Sequence, residues 1–315
     1  MRRWIIQIGL LTFALSLAGG ARAGGNPFII EPVKPAFSAT FAARYWYGMG
    51  NESKDLYGLT RDTLNSRLTY DRLQSHSLEG FARVDHNSGL FWKAYVGGGL
   101  LTQGHLQDED FPPGIGPYSS TNSTLQNQSL FYASVDVGGA LIRGSDFRVD
   151  AFVGYHYFRE RMKAFGCAQT AGNTEICGTP IPDDVAAIVE DSNWQGVRVG
   201  LNADLPLFDR WRINVEGAYL PYVWYNGTDN HLLRWDLPSP IRQDGHGWGY
   251  QLEAVLSYQL TNEIALGVGG RYWHFQSKGE AHFEDMFVDG VEQPLDFKAN
   301  IYGVFLQGSY RFGAL

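Results

Sequence analysis

The sequence predicts an all-β protein, a ten-stranded antiparallel transmembrane β-barrel with long extracellular loops. Three observations support this class. Apolar and polar residues alternate with a period of two, tight and long connections follow one another in turn, and aromatic residues make up 14% of the chain against only 18% charged residues. An apolar face with aromatic ends, opposite a mixed face, is typical of an outer-membrane strand between lipid and lumen.

The alternation is clearest in three segments. In 147–157 the odd positions are apolar or aromatic, whereas Arg148 and Asp150 stand at even positions, and 211–225 and 300–312 repeat the pattern. A barrel this narrow fills its interior with side chains, which favours a plugged barrel over an open pore. The charged residues expected to pair inside the barrel are Arg83, Asp85, Arg148, Asp150, Arg212 and Glu216.

The connections set the number of strands. Tight turns are predicted at His86–Gly89, Arg143–Asp146, Pro206–Asp209 and Leu260–Glu263. Long loops are predicted at about 51–61, 105–125, 166–190, 228–246 and 281–295. The strands then fall near 37–50, 62–86, 90–104, 126–142, 146–165, 191–205, 210–227, 247–260, 263–280 and 296–312. An even number places both termini on the side of the short turns. The alternative is a hidden turn near Gln74, which would make eleven strands.

The N-terminus predicts the compartment. Arg2 and Arg3 precede an apolar stretch, and small residues at Ala21 and Ala23 mark a cleavage site. We therefore expect residues 1–23 to be a secretory signal peptide and residues 24–315 to form one barrel domain in the bacterial outer membrane. The formal net charge of −8 argues against nucleic acid as a partner.

Cys167 and Cys177 are the two cysteines of the chain, and both lie in one polar segment. In an exported protein this arrangement predicts a disulfide that closes a loop tip. A metal site is the less favoured alternative, because no histidine or further cysteine lies near them. We predict no metal ion and no cofactor.

Two short triplets carry the candidate chemistry, Asp108-Glu109-Asp110 and Asp229-Asn230-His231. In an extended strand, residues i and i+2 point to the same face. A histidine beside a carboxylate is a typical oriented general base, and two close carboxylates tend to share a proton. If the triplets meet in space, the sequence indicates a hydrolase. If they do not, it indicates a structural barrel.

The predicted orientation of these side chains is the main obstacle to a shared site. Extending the apolar phase of 211–225 places Asp229 and His231 on the lipid side, and Asp108 and Asp110 follow the same phase in their strand. A site in the lumen requires a shift by one residue in each strand. The glycines at 97–99 and 104, and the pair at 226–227, are the candidate bulge positions.

The chain resembles the omptin family of outer-membrane endoproteases, which are ten-stranded barrels. Asp108-Glu109-Asp110-Phe111 is similar to that family's Asp-x-Asp followed by an aromatic residue, and Asp229-Asn230-His231 is similar to its Asp-x-His. The stretch 154–165 matches the family's fifth strand. The resemblance covers nearly the whole chain after residue 23 in architecture and is specific at these places.

The resemblance implies a role for each triplet. His231 with Asp229 would form one half of a catalytic site, Asp108 and Asp110 would form the other, and an activated water would be the nucleophile. Omptins that cut beside basic residues read the substrate with acids. By the resemblance Glu52 or Asp55 would correspond to one of these acids, but Gly227 stands where the family has another. A preference for basic substrates is therefore not implied.

The resemblance also implies lipid contacts. Omptins bind lipopolysaccharide through outward basic residues, and Arg159 follows Tyr155 in the lipid-facing phase of its strand. Lipopolysaccharide would act as an activating lipid and a peptide or protein as the substrate. The alternative function is a non-catalytic barrel, either adhesive or structural, whose long loops bind a partner. A small diffusion pore is the third alternative.

Overall fold

Eleven β-strands form one antiparallel sheet in the part of the chain that the computed structural model describes, residues 36–111, 116–234, 239–283 and 291–313. They are β1 (Phe37–Tyr57), β2 (Leu64–His86), β3 (Leu90–Asp110), β4 (Ser119–Leu125), β5 (Gln128–Arg143), β6 (Arg148–Gln169), β7 (Ile181–Phe208), β8 (Trp211–His231), β9 (Ile241–Gln259), β10 (Ile264–Phe283) and β11 (Val291–Phe312). No helix among these residues is long and apolar enough to span a membrane. The predicted signal peptide, residues 1–23, lies outside the described residues.

The sheet closes into a barrel because its first and last strands pair. Phe41 on β1 lies opposite Tyr310 on β11. The other strands pair with their neighbours along the chain, except that β4 and β5 each pair with β3 and β6 and not with each other. β4 and β5 occupy a single position between β3 and β6, separated only by residues 126–127, where Asn127 has a φ of 55°. The ring therefore has ten positions but eleven strands, one more than predicted, because β4 and β5 divide one position between them.

The strands extend further outward than predicted, and the long connections are correspondingly shorter. β3 continues to Asp110 and β8 to His231, so both triplets end strands instead of opening loops. β2 runs through Gln74 without a turn. Beyond the membrane a strand needs no lipid-facing apolar side chains, because water can solvate its outer face while the hydrogen-bond ladder continues. In the sequence, the outer halves of the strands consequently lack the regular alternation of apolar and polar residues that marks the inner halves.

Two girdles of exposed aromatic side chains surround the barrel. The girdle near the short turns contains Phe37, Phe41, Phe147, Phe208, Trp211, Tyr310 and Phe312. The outer girdle contains Tyr45, Tyr155, Tyr219, Tyr222, Trp224, Trp248 and Tyr302. Tyr302 and Phe312 on β11 are separated by a length close to the roughly 9–11 residues that cross a bilayer. The strands between the girdles are the membrane-spanning segments, and their outer ends protrude above the membrane.

Ion pairs fill the interior at the level of the membrane. Arg83 lies 2.6 Å from Asp150 and 3.0 Å from Asp85, and Arg148 lies 2.8 Å from Asp85. These pairs join residues that were expected to pair, whereas Arg212 pairs with Asp204, which was not in the expected set. Arg198 pairs with Glu216, and Arg271 joins Glu79 and Glu253 at a higher level. The interior between the girdles is therefore occupied by paired charges and the aromatic side chains around them.

Candidate functional site

The two triplets meet at the outer mouth of the barrel. Asp108 and Asp110 end β3, Asp229 and His231 end β8, and β4, β6 and β7 separate these two strands in the ring. All four side chains line one cavity of about 480 Å³, which we call the first cavity. The arrangement that distinguishes a shared site from unrelated acids is therefore present.

A β-bulge in β8 turns Asp229 and His231 inward. The pairing with β9 shifts its register between Leu220 and Val223, and both of these residues are buried while the intervening Pro221 and Tyr222 are exposed. Proline lacks the N–H that a regular ladder requires, so it suits an irregular position. The shift lies a few residues before the predicted site at 226–227. It leaves Asp229 only 3% exposed.

A second irregularity turns the end of β3 inward. The pairing of β2 with β3 shifts its register between Asp71 and Gln74 and again between Gln74 and Ser75, and Arg72 there has a φ of 51°. On β3 the buried face changes from odd to even positions, so that Leu101 and Leu106 are both buried. The required shift is present, between the glycines at 97–99 and 104.

The histidine and aspartate of the second triplet are in direct contact. His231 Nε2 lies 3.2 Å from Asp229 Oδ2. Burial disfavours the imidazolium, but Asp229, followed by Asp108 and Asp110, raises the pKa of His231 to about 9. Burial also opposes ionisation of Asp229, yet His231 holds the pKa of this carboxyl below its usual range. The pair is thus an imidazolium beside a carboxylate at neutral pH.

The opposing carboxyls have a different electrostatic character. Burial raises the pKa of Asp108 to about 7, with His231 opposing and Asp110 contributing to the increase. Burial also raises the pKa of Asp110, which accepts a hydrogen bond from Ser66. Asp108 Oδ1 and Asp229 Oδ1 are buried and have no hydrogen-bond partner among the described residues. Two carboxyl oxygens on opposite strands therefore keep their capacity to accept a hydrogen bond.

A second cavity of about 650 Å³ adjoins the first and shares Asp108, Asp110 and His231 with it. Its wall includes Cys167 and Cys177, which form the disulfide predicted from the sequence. The triplets thus stand at the middle of a groove with one cavity on each side. Among the described residues, no cluster of His, Cys, Asp or Glu has the arrangement of a metal site.

The two acids predicted to read the substrate lie apart from each other. Asp55 points outward from β1 and accepts two hydrogen bonds from Arg67, at 2.6 and 3.0 Å, and it does not line either cavity. Glu52 points inward but lies below the cavities, fully buried beside Glu160. Burial, followed by the charge of Glu160, raises the pKa of Glu52.

The predicted lipid contacts lie on the outer surface of β6. Tyr155 belongs to the outer girdle and donates a hydrogen bond of 2.8 Å to Gln195. Arg159 lies four residues further along β6 on the same face and is 3.3 Å from Asp191, whose other carboxylate oxygen lies 3.7 Å from Arg161. Two arginines therefore share one carboxylate just above the membrane.

Sequence reasoning missed a buried lysine at the floor of the first cavity. Lys54 Nζ donates a hydrogen bond of 2.6 Å to Gln243 Oε1 and forms an ion pair with Glu190. Burial lowers the pKa of Lys54 to about 7, although Asp229 and Glu52 oppose this effect. Continuing the inward phase of the first strand past residue 50 would have identified Lys54, because buried and more exposed side chains alternate along β1 as far as this residue.

The chain is similar to proteins of bacterial outer membranes. A family model described as "Pom: Protochlamydia outer membrane protein" matches residues 54–302. Among solved structures, the outer membrane protease OmpT from Escherichia coli aligns with a TM-score of 0.73 and 15% identity, over 87% of this chain and 97% of that chain. The outer membrane protein OprG from Pseudomonas aeruginosa aligns with a TM-score of 0.35 and 11% identity, over 89% and 98%. No curated protein sequence matches the chain.

Proposed function

The chain belongs to the family described as Protochlamydia outer membrane protein, and from that premise we propose that it is an endopeptidase of the bacterial outer membrane. In this proposal, the protein cleaves exposed peptides or proteins with a water molecule that is held between the two triplets. The similar fold of a solved outer-membrane protease supports the architecture of this proposal and leaves the chemistry to the site itself.

The single observation that carries the proposal is the opposition of the two triplets across one cavity. His231 is the proposed general base, and Asp229 orients its ring through the contact of 3.2 Å. Asp108 and Asp110 are proposed to hold the water. The three carboxylates that raise the pKa of His231 would also stabilise the imidazolium formed when it takes the proton from the water.

The shape of the mouth supports an extended substrate. The first and second cavities lie on either side of the triplets, so a peptide crossing the groove would place one bond at the middle. The paired charges below the mouth oppose passage of a solute through the barrel. The proposed reaction therefore takes place at the outer rim.

We also propose lipopolysaccharide as a lipid partner of the outer surface. Its phosphates are anionic, and guanidinium groups are well suited to contact phosphate oxygens. Arg159 and Arg161 stand just above the outer girdle, where such headgroups lie, and Tyr155 lies beside them in the girdle.

A peptide-cleavage assay tests the proposal. The protein is refolded with lipopolysaccharide and incubated with a peptide library, and the products are identified by mass spectrometry. Wild type should cleave, and His231→Ala should lose about 10²- to 10⁴-fold in rate. His282→Ala is the matched control, because His282 also lies 2.7 Å from an aspartate, Asp244, but lines neither cavity. Equal cleavage by wild type and His231→Ala, or none by wild type, would contradict the proposal.

A further inference from the structure

The wall of the first cavity is mostly apolar. Leu68, Ile241, Ala281 and Leu295 line it and are all buried. A substrate side chain that enters this cavity leaves water along its length, which favours an apolar stem. The polar groups at the floor then decide which tip is accepted, because a buried polar tip is costly unless it finds a hydrogen-bond partner.

The floor presents hydrogen-bond donors. Gln243 Oε1 accepts hydrogen bonds from Lys54 at 2.6 Å and from Tyr225 at 3.0 Å. These two donors fix the orientation of the amide, because an NH₂ group in the same place could not accept them. The Nε2 group is therefore the remaining polar group of Gln243, and it can only donate. The Lys54 nitrogen also donates, whether or not it carries its extra proton.

Carboxylates at the floor are either absent or engaged. Glu190 pairs with Lys54 and accepts hydrogen bonds from Tyr70 at 2.7 Å and Ser192 at 3.0 Å. Gly227, two residues before Asp229 on the same face of β8, has no side chain, and a Cβ there would overlap the Tyr225 hydroxyl. A cationic side chain that reaches the floor would thus meet the Lys54 nitrogen, while the Glu190 carboxylate there is already paired with it.

An anionic tip meets a different obstacle. Asp108, Asp110 and Asp229 all line the cavity and lie toward the outer ends of β3 and β8, and a carboxylate that enters the cavity would lie near them. Like charges repel strongly where burial reduces screening by water. The tip that matches both ends of the cavity is therefore uncharged and accepts hydrogen bonds.

We propose that the first cavity selects a long, uncharged substrate side chain with a hydrogen-bond acceptor at its tip, glutamine fitting best, and that Lys54 excludes arginine and lysine. This inference rests on the proposed function. It identifies Lys54 and Gln243 as specificity-determining residues and places the side chain beside the bond that is cut.

A peptide series tests the selection directly. The peptides share one sequence except for a single position, which carries glutamine, leucine, arginine or glutamate, and mass spectrometry locates the cut bond. The glutamine peptide should be cleaved beside the variable position at least about tenfold faster than the arginine or glutamate peptide. Cleavage beside arginine at an equal or higher rate overturns the inference and leaves the proposed function standing.

Lys54→Gln tests the assigned residue. The variant leaves the Glu190 carboxylate without its cation, so the rate for the arginine peptide relative to the glutamine peptide should rise at least about tenfold. Lys278→Gln is the matched control, because Lys278 is an exposed lysine of β10 that lies 4.0 Å from Asp296 and lines neither cavity. An unchanged ratio in a folded Lys54→Gln variant contradicts the assignment, and the wild-type series decides the selectivity if this variant does not fold.

A binding measurement separates the two proposals. Fluorescence anisotropy of labelled peptides with His231→Ala requires no chemistry, and the glutamine peptide should bind at least about tenfold more tightly than the arginine peptide. If no peptide is cleaved by wild type, the proposed function fails, and this binding series then decides the selectivity of the cavity. Equal or tighter binding of the arginine peptide overturns the inference.

Discussion

Asp229 and His231 touch at 3.2 Å inside the mouth of the barrel because β8 gains one residue between Leu220 and Val223. Without that bulge both side chains would continue the lipid-facing alternation of the preceding residues of β8. The pKa of His231 therefore depends on this backbone irregularity, because only the inward face brings His231 near three carboxylates.

The rate of cleavage should increase with pH up to about 9. His231 must be neutral to accept a proton from water, and its pKa is raised to about 9, chiefly by Asp229 against the effect of burial. Below that value each unit of pH should change kcat/KM by up to about tenfold. Asp229→Asn should lower the maximal rate and shift the rise of kcat/KM with pH to lower pH. If this rise occurs at the same pH in Asp229→Asn as in the wild type, His231 is not the base.

Asp108→Asn should reduce kcat/KM by about 10²-fold or more, because this residue is proposed to hold the attacking water. Its side chain lines both cavities and its Oδ1 has no other described partner. Glu109→Gln is the control within the same triplet, since Glu109 lines neither cavity. Steady-state kinetics on one peptide substrate compare the two variants, and similar losses in both would argue against a specific role for Asp108.

Replacing both cysteines by serine should raise KM several-fold and leave kcat nearly unchanged. The disulfide lies in the wall of the second cavity and closes a loop with a sequence separation of 10. Because the closed loop is short, loss of the disulfide should lower the free energy of unfolding by at most about 3 kcal/mol and leave the barrel strands intact. Kinetics with and without a reductant provide the same comparison in the wild-type protein. A loss of kcat with an unchanged KM would contradict this assignment.

Replacing Arg159 and Arg161 by alanine should weaken the binding of lipopolysaccharide several-fold, since two guanidinium groups just above the outer girdle would be lost. Binding can be measured with lipopolysaccharide in mixed micelles. Arg210→Ala is the control, because Arg210 is exposed at the turn between β7 and β8, at the opposite end of the barrel. Equal weakening by Arg210→Ala would indicate a general effect of charge.

Glu52→Gln should stabilise the barrel at pH 8 by about 1–3 kcal/mol relative to wild type. The folded-state pKa of Glu52 is raised by burial and then by Glu160, so the folded protein retains a proton that the unfolded chain loses. The contribution of this group to stability is therefore complete at low pH and is lost as pH rises through the raised pKa. Urea unfolding should show that the free energy of unfolding falls less between pH 5 and pH 8 in Glu52→Gln than in the wild-type protein. An equal decrease in both proteins would contradict this linkage.

The ring could be predicted from the sequence because the membrane imposes it. Between the girdles, lipid selects apolar side chains at every second position, and this pattern is visible in segments such as 300–312. Above the membrane that selection ends, and Ser119–Leu125 is a strand of small polar residues that the sequence presents as a loop. The strand exists because it pairs with the end of β3.

The identities of the site residues could be proposed from two triplets, whereas their orientation could not. Whether Asp229 points to lipid or to the lumen depends on a bulge whose position is fixed by pairing with β7 and β9. The Lys54–Glu190 pair joins β1 to β7, which are neither sequential nor adjacent in the ring. Such a contact depends on the closure of the barrel and leaves no local trace in the sequence.

The pairing of β1 with β11 also constrains how the protein can be made. Phe41 and Tyr310 belong to opposite ends of the chain, yet they face each other in the finished ring. Until the last strand arrives, β1 and β10 both present unpaired backbone groups, which cannot be exposed to hydrocarbon. We therefore expect assembly to begin only after synthesis and export of the whole chain, and a protein truncated before β11 to be degraded instead of inserted.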